Sequence, residues 1–140
     1  MANNFLGLQY PFFKGPRGLL AQKNGVDQIK ADLLQLLLTN PGERVMIPNY
    51  GTPLRTLFFE PNDASLGIRA KQMISNAIVT WEPRIVITDI TVSTKIDKSE
   101  LNVMDTGEER DAILFIQINF VDPQNISQVE KLALTMPIGD

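Results

Sequence analysis

The strongest restriction on this fold is a change of apolar period at Pro83. Upstream of it, apolar residues recur at helical spacing. Val26, Ile29, Leu33, Leu36 and Leu37 form one stripe, and Leu66, Ala70, Met73, Ile74, Ala77, Ile78 and Trp81 form a longer one. Downstream, apolar residues alternate. Leu114, Ile116, Ile118 and Phe120 share one face while Gln117 and Asn119 fall on the other. A chain with this order has two helices first and a sheet afterwards.

The spacing predicts helices over residues 26–38 and 64–81. Asn24 and Asp63 stand at the N-cap positions, where a side-chain oxygen can accept a bond from an orphan helical N–H. Asn40-Pro41-Gly42 closes the first helix, and Pro83 ends the second by forcing Glu82 out of the helical region. Three strands follow: a β-branched run at Ile85 to Thr94, then Ile113 to Val121, then Gln128 to Met136. Asp122-Pro123-Gln124-Asn125 reads as the turn between the last two. On the last strand Leu132, Leu134 and Met136 face inward, Lys131 and Thr135 outward, and Pro137 stands just past its end. Consecutive hairpin-joined strands run antiparallel. The expected fold is therefore α+β: two helices packed on one face of a small antiparallel sheet of about three strands.

Two irregular regions complete the chain. Residues 1–23 read as an N-terminal arm, with Pro11, Gly15, Pro16 and Gly18 among Phe5, Leu6, Leu8, Tyr10, Phe12 and Phe13. So dense an apolar cluster needs a surface to cover, on the domain or on a partner. Residues 24–140 then form a single domain. Residues 41–61 are a long Pro/Gly loop, with an extended piece expected at Arg44 to Ile47 and a helical turn near Leu54 to Phe58. Loops of this length in compact domains usually carry a function. The charged stretch 97–110, with Gly107, reads as a long loop or hairpin tip.

Composition narrows the chemistry. The chain of 140 residues has no Cys and no His, which removes disulfides, thiolate and Ser-His nucleophiles and the usual zinc ligands. No cofactor box, catalytic constellation or metal site is read. The net charge of −3 gives no basic footprint for nucleic acid and no polybasic patch for an anionic membrane. The N-terminus lacks the features of a signal peptide, and no apolar run is long enough to span a bilayer, so a cytoplasmic origin is expected.

Three groups of polar residues remain as candidates. In Thr39-Asn40-Pro41-Gly42-Glu43-Arg44, with Pro48 and Gly51 following, Glu43 and Arg44 either form local ion pairs or face a partner. Glu82-Pro83-Arg84 sits where helix becomes strand. Pro83 stiffens it, and residues two apart in an extended stretch leave on the same side. Arg grips carboxylates with two parallel hydrogen bonds, so this pair is either an internal brace, with Arg84 on Glu43 or Glu60, or a plug for another chain. Glu60, Glu82 and Asp89 are the candidates for an acid/base pair of the kind a glycosidase needs.

Taken in order, Thr39 to Arg44 with Pro48 and Gly51, Leu57-Phe58-Phe59-Glu60-Pro61, and Trp81-Glu82-Pro83-Arg84-Ile85 resemble the small wedge protein of contractile phage baseplates. That family is sometimes labelled lysozyme-like, and it includes the matching component of type VI secretion baseplates. The resemblance runs from about Lys14 to the C-terminus. It implies a fold like the handshake part of the tail sheath subunit and a structural, non-enzymatic role in a virion tail baseplate assembled in the host cytoplasm. It further implies that Glu82, Pro83 and Arg84, with Glu43 and Arg44, dock on the helical core bundle of the wedge. The sheet edge would then meet the first sheath ring and prime sheath polymerisation. The last strand, with Lys131, Ala133 and Thr135, is the expected sheath-contact edge, because an open edge templates an added strand. Core-bundle proteins and the sheath subunit are the implied partners, with tube and hub proteins as further neighbours, in six-fold arrangement. Two other readings stand beside this one: a peptidoglycan hydrolase using Glu60 or Glu82, and a regulatory binding module like a bacterial anti-adaptor that resembles this fold.

Overall fold

A computed structural model describes residues 6–60, 64–96 and 112–138. In chain order the elements are β1 (Leu6–Leu8), β2 (Gln22–Asn24), α1 (Gly25–Leu38), a 3-10 helix (Pro53–Phe59), α2 (Ala64–Trp81), β3 (Val86–Ile96), β4 (Ala112–Asp122) and β5 (Asn125–Ile138). β3, β4 and β5 form one antiparallel sheet in sequence order, with the helices on one face, as the period change requires. β4 is the middle strand. Its Leu114, Ile116, Ile118 and Phe120 are fully buried beneath Ile29, Leu33, Leu36 and Leu37 of α1 and Leu66, Ala70, Ile74 and Ile78 of α2. Leu54 and Leu57 of the 3-10 helix close the same core, and an ion pair between Lys30 and Glu130, at 2.6 Å, ties α1 to β5.

On β3 the alternation changes phase. Ile85 and Ile87 are inward at odd positions, Ile90 and Val92 at even ones. A β-bulge makes the change: Ile87 pairs with Phe120 and Asp89 with Asn119, so Thr88 is an extra residue on β3. Without it, the second half of the strand would turn its apolar side chains away from the core.

Several expectations are corrected. The arm is not irregular: β1 and β2 pair antiparallel, and Lys14 bridges Leu20 further out. β1 lies against α1, where a Cβ on Gly7 would run into the Gln28 side chain, while Leu6, Phe12, Phe13, Leu19 and Leu20 stay more than half exposed. Asn24 occupies the N-cap of α1, but its side chain makes no capping bond. Arg44 to Ile47 is a series of bends rather than an extended piece, with Ile47 at φ 61°. The expected Leu54 to Phe58 turn is present as the 3-10 helix. β5 begins at Asn125 and runs through Pro137, so the proline lies within the strand; an edge strand tolerates the missing N–H. Gln124 N–H bonds to Asp122 Oδ1 at 2.9 Å and fixes the turn before β5. Asp63 and the 97–110 stretch lie outside the described residues, and among the described residues no helix is long and apolar enough to cross a membrane.

Because Leu114 is wholly enclosed on the central strand, Leu114→Ala should lower unfolding free energy by about 2–5 kcal/mol. Urea titration with an unchanged slope would show this.

Candidate partner-binding site

The end of α2 builds the site. Glu82 N–H makes the last helical bond, to Ile78 O at 2.8 Å, and Pro83 then turns the chain. Glu82-Pro83-Arg84 is thus a turn and not the extended stretch expected. The turn folds Arg84 back on Glu82, so that Nε and Nη2 each donate to a different carboxylate oxygen. Nη2 also donates to Asp32 Oδ2 on α1 at 2.6 Å. Asp32 Oδ1 accepts in turn from Gln28 Nε2 at 2.8 Å.

Burial decides what each member does. Glu82 is only 6% exposed, whereas the side chains of Arg84 and Asp32 are 26% and 31% exposed. A carboxylate so deeply placed needs a charged, hydrogen-bonding partner, and Arg84 supplies it. The same bond to Glu82 raises the guanidinium pKa above its already high value; desolvation opposes the rise and Asp32 adds to it. Arg84 therefore works inward as a brace and still presents part of its charge at the surface beside Asp32.

The long loop leans on this corner. The Tyr50 and Trp81 rings meet edge to face with centroids 5.4 Å apart, and the Arg44 guanidinium lies 3.8 Å above the Tyr50 ring. Burial raises the Tyr50 pKa, Arg44 opposes that, and the charges of Asp32 and Glu82 reinforce it. The loop is closed at its base. Thr52 N–H bonds to Thr39 O at 2.8 Å, and Thr52 Oγ donates to Leu36 O. Gly51, at φ 123°, passes so close that a Cβ would run into the Thr39 carbonyl.

The brace exists, but not with the partners expected. Glu43 pairs with Arg55 at 3.2 Å and Glu60 with Arg69 at 2.6 Å; neither meets Arg84. Glu82 and Arg84 are in direct contact, and Arg44 joins them through Tyr50 and Trp81. Asp32, Gln28 and Tyr50 are members that sequence reading missed. Asp32 lies 52 residues from Arg84, and no local pattern signals such a pairing. The three candidate acid/base carboxylates do not pair with one another. Glu60 and Glu82 are engaged by Arg69 and Arg84, and Asp89 by Lys71 at 3.7 Å and Thr91 Oγ at 3.0 Å. Among the described residues no group of three or more acidic side chains could hold a metal ion.

Lys131, Ala133 and Thr135 lie elsewhere, exposed on β5 at the border of the sheet. Among the described residues no strand pairs with either outer border. The two borders differ. β3 is kinked by its bulge, whereas β5 pairs with β4 without a break from Val129 to Ile138 and so presents a long regular edge.

The chain is thus a small α+β body with a braced charged corner and an outer strand that is unpaired on one side among the described residues. Residues 23–120 match the family model of the baseplate wedge protein gp25, and the chain belongs to this family. Baseplate protein W of Escherichia phage P2 is 28% identical over 86 residues, which cover 61% of this chain and 74% of that protein. A putative tail lysozyme from Geobacter sulfurreducens superimposes with a TM-score of 0.64 at 20% identity, over 81% of this chain and 91% of that one. A chain of the six-fold symmetrised anti-feeding prophage baseplate gives 0.62 at 19% identity, over 99% and 89% respectively. At these identities the two solved structures speak for the fold alone. This chain is a structural baseplate wedge component of a contractile tail system.

A Tyr10→Phe chain leaves Tyr50 as the remaining tyrosine. Its phenolate absorbance should titrate with a midpoint above the ordinary 10.0. A raised folded-state value means that this contribution to stability is complete below pH 10 and is lost as pH rises through the folded midpoint. Tyr50→Phe should therefore flatten the alkaline fall in melting temperature.

Proposed function

We propose that this protein docks on the core of the baseplate wedge through the Glu82-Pro83-Arg84 corner and offers β5 to the first ring of sheath. The observation that carries the docking half is the division of labour at the corner. Glu82 is spent inside, while Arg84 and Asp32 keep about a quarter to a third of their side-chain surface in solvent. Charges held rigid before contact lose little entropy on binding and give orientation as well as affinity. Arg44 and Glu43 stiffen the neighbouring loop, Arg44 over Tyr50 and Glu43 against Arg55. For the sheath half, the unbroken β5 edge is the border to which an extended segment of another subunit can add by main-chain hydrogen bonds. Repetition around a ring multiplies such links through avidity. Core-bundle proteins and the sheath subunit are then the partners, in a baseplate put together in the host cytoplasm. The reading of the chain as a peptidoglycan hydrolase finds no support in Glu60, Glu82 or Asp89, each of which faces a cation.

Arg84→Ala is an unsuitable test alone, because it strands a buried carboxylate and should cost roughly 3 kcal/mol of stability. The double variant Glu82→Leu with Arg84→Met removes both charges and should stay folded. Expressed with the rest of the baseplate genes, it should melt cooperatively in isolation and be missing from purified baseplates. Its normal incorporation would remove the docking role. For β5, Lys131→Glu with Ala133→Asp should yield baseplates that contain the protein but start few sheaths, counted by negative-stain microscopy.

A further inference from the structure

The tip of the long loop places three apolar side chains in solvent in a row. Val45 is 98% exposed, Met46 79% and Ile47 52%. The backbone beneath them is not slack. Gly42 N–H bonds to Pro48 O at 2.6 Å, Tyr50 N–H to Ile47 O at 3.1 Å, and Glu43 N–H to Asn40 O at 3.1 Å. Glu43 also accepts from Asn40 N–H and Arg55. Ile47 sits at φ 61°, a region that β-branched residues avoid. Strain of this kind persists where the surrounding structure imposes it, and it collects at contact sites. A tip that is apolar, exposed and held stiff in a disfavoured conformation gains nothing within its own chain.

We propose that Val45, Met46 and Ile47 form a preset apolar knob that enters an apolar pocket on the same wedge protein that meets Arg84 and Asp32. This inference rests on the docking role proposed above and adds a second contact to it. The knob is continuous with the corner: Arg44 precedes Val45 and covers Tyr50, and Tyr50 packs on Trp81, next to Glu82. The charges that flank it are engaged within the chain, Glu43 by Arg55 and Arg44 by the Tyr50 ring, so the occupant is matched by shape and apolarity rather than by charge. The chain as a whole carries a net charge of −3, which disfavours an anionic lipid surface or a nucleic acid and leaves protein as the partner.

The test uses complete baseplates produced with wild-type or variant chain. Met46→Asp should leave the melting midpoint of the isolated protein unchanged and reduce its content in purified baseplates at least tenfold in competition with wild type. Ile47→Gly should raise the melting midpoint by a few degrees, because glycine occupies this φ freely, yet compete poorly for incorporation. A photocrosslinking residue at position 46 should join the same subunit as one at position 32. Normal incorporation of Met46→Asp, no rise in melting for Ile47→Gly, or crosslinking at 46 to a second copy of this chain would each overturn the proposal. The two readings separate cleanly. If the Glu82→Leu/Arg84→Met chain incorporates normally, the corner fails. If that chain is excluded while Met46→Asp enters, the corner stands and the knob falls.

Discussion

The burial of one carboxylate organises this molecule. Glu82 lies at the last turn of α2, almost sealed from water, and an unpaired charge there would cost several kcal/mol, of the order of 3–5. The cost is avoided because Pro83 turns the chain and Arg84 folds back within reach of both carboxylate oxygens. The same guanidinium then takes hold of Asp32 on α1. One ionic cluster thus fixes where α2 ends, where β3 begins and how α1 lies across them. The aliphatic core supplies the bulk of the driving force, and the charged cluster adds directional contacts where α2 ends.

The cluster also stiffens the surface around it. Exposed ion pairs in water contribute little because long side chains must be immobilised to form them. Here that immobilisation has occurred already during folding. The Tyr50–Trp81 contact and the Arg44 stacking extend the stiffness into the loop, and Gly51 lets the loop return against the Thr39 carbonyl. A wedge component that must sit in one orientation in a large particle benefits from rigidity of this sort, since each mobile side chain frozen on assembly would weaken the contact.

The architecture was legible in sequence because it rests on periodicity. The stripes from Val26 to Leu37 and from Leu66 to Trp81 became α1 and α2, and the alternation from Leu114 to Phe120 became the buried face of β4. Features that depend on closure between distant residues were not legible. Nothing local to Asp32 reveals Arg84, and nothing in residues 44–47 reveals a left-handed Ile47. Glu43 and Glu60 are as reasonable as Asp32 for Arg84 until the helices are placed, after which each proves nearer another arginine. The hairpin of the arm was hidden by its prolines and glycines, which punctuate turns and irregular chain alike. The extra residue at Thr88 was likewise masked, because β-branched side chains fill both faces of β3.

That extra residue has a geometric consequence. A sheet with two equivalent borders could grow from either side, and copies could adhere to one another in fibres. The bulge at Thr88 interrupts the β3 border near its start, whereas the β5 border pairs with β4 without interruption from Val129 to Ile138. The body thereby has two unlike flanks, and under the sheath contact proposed above it is the β5 flank that offers the longer uninterrupted row of main-chain groups.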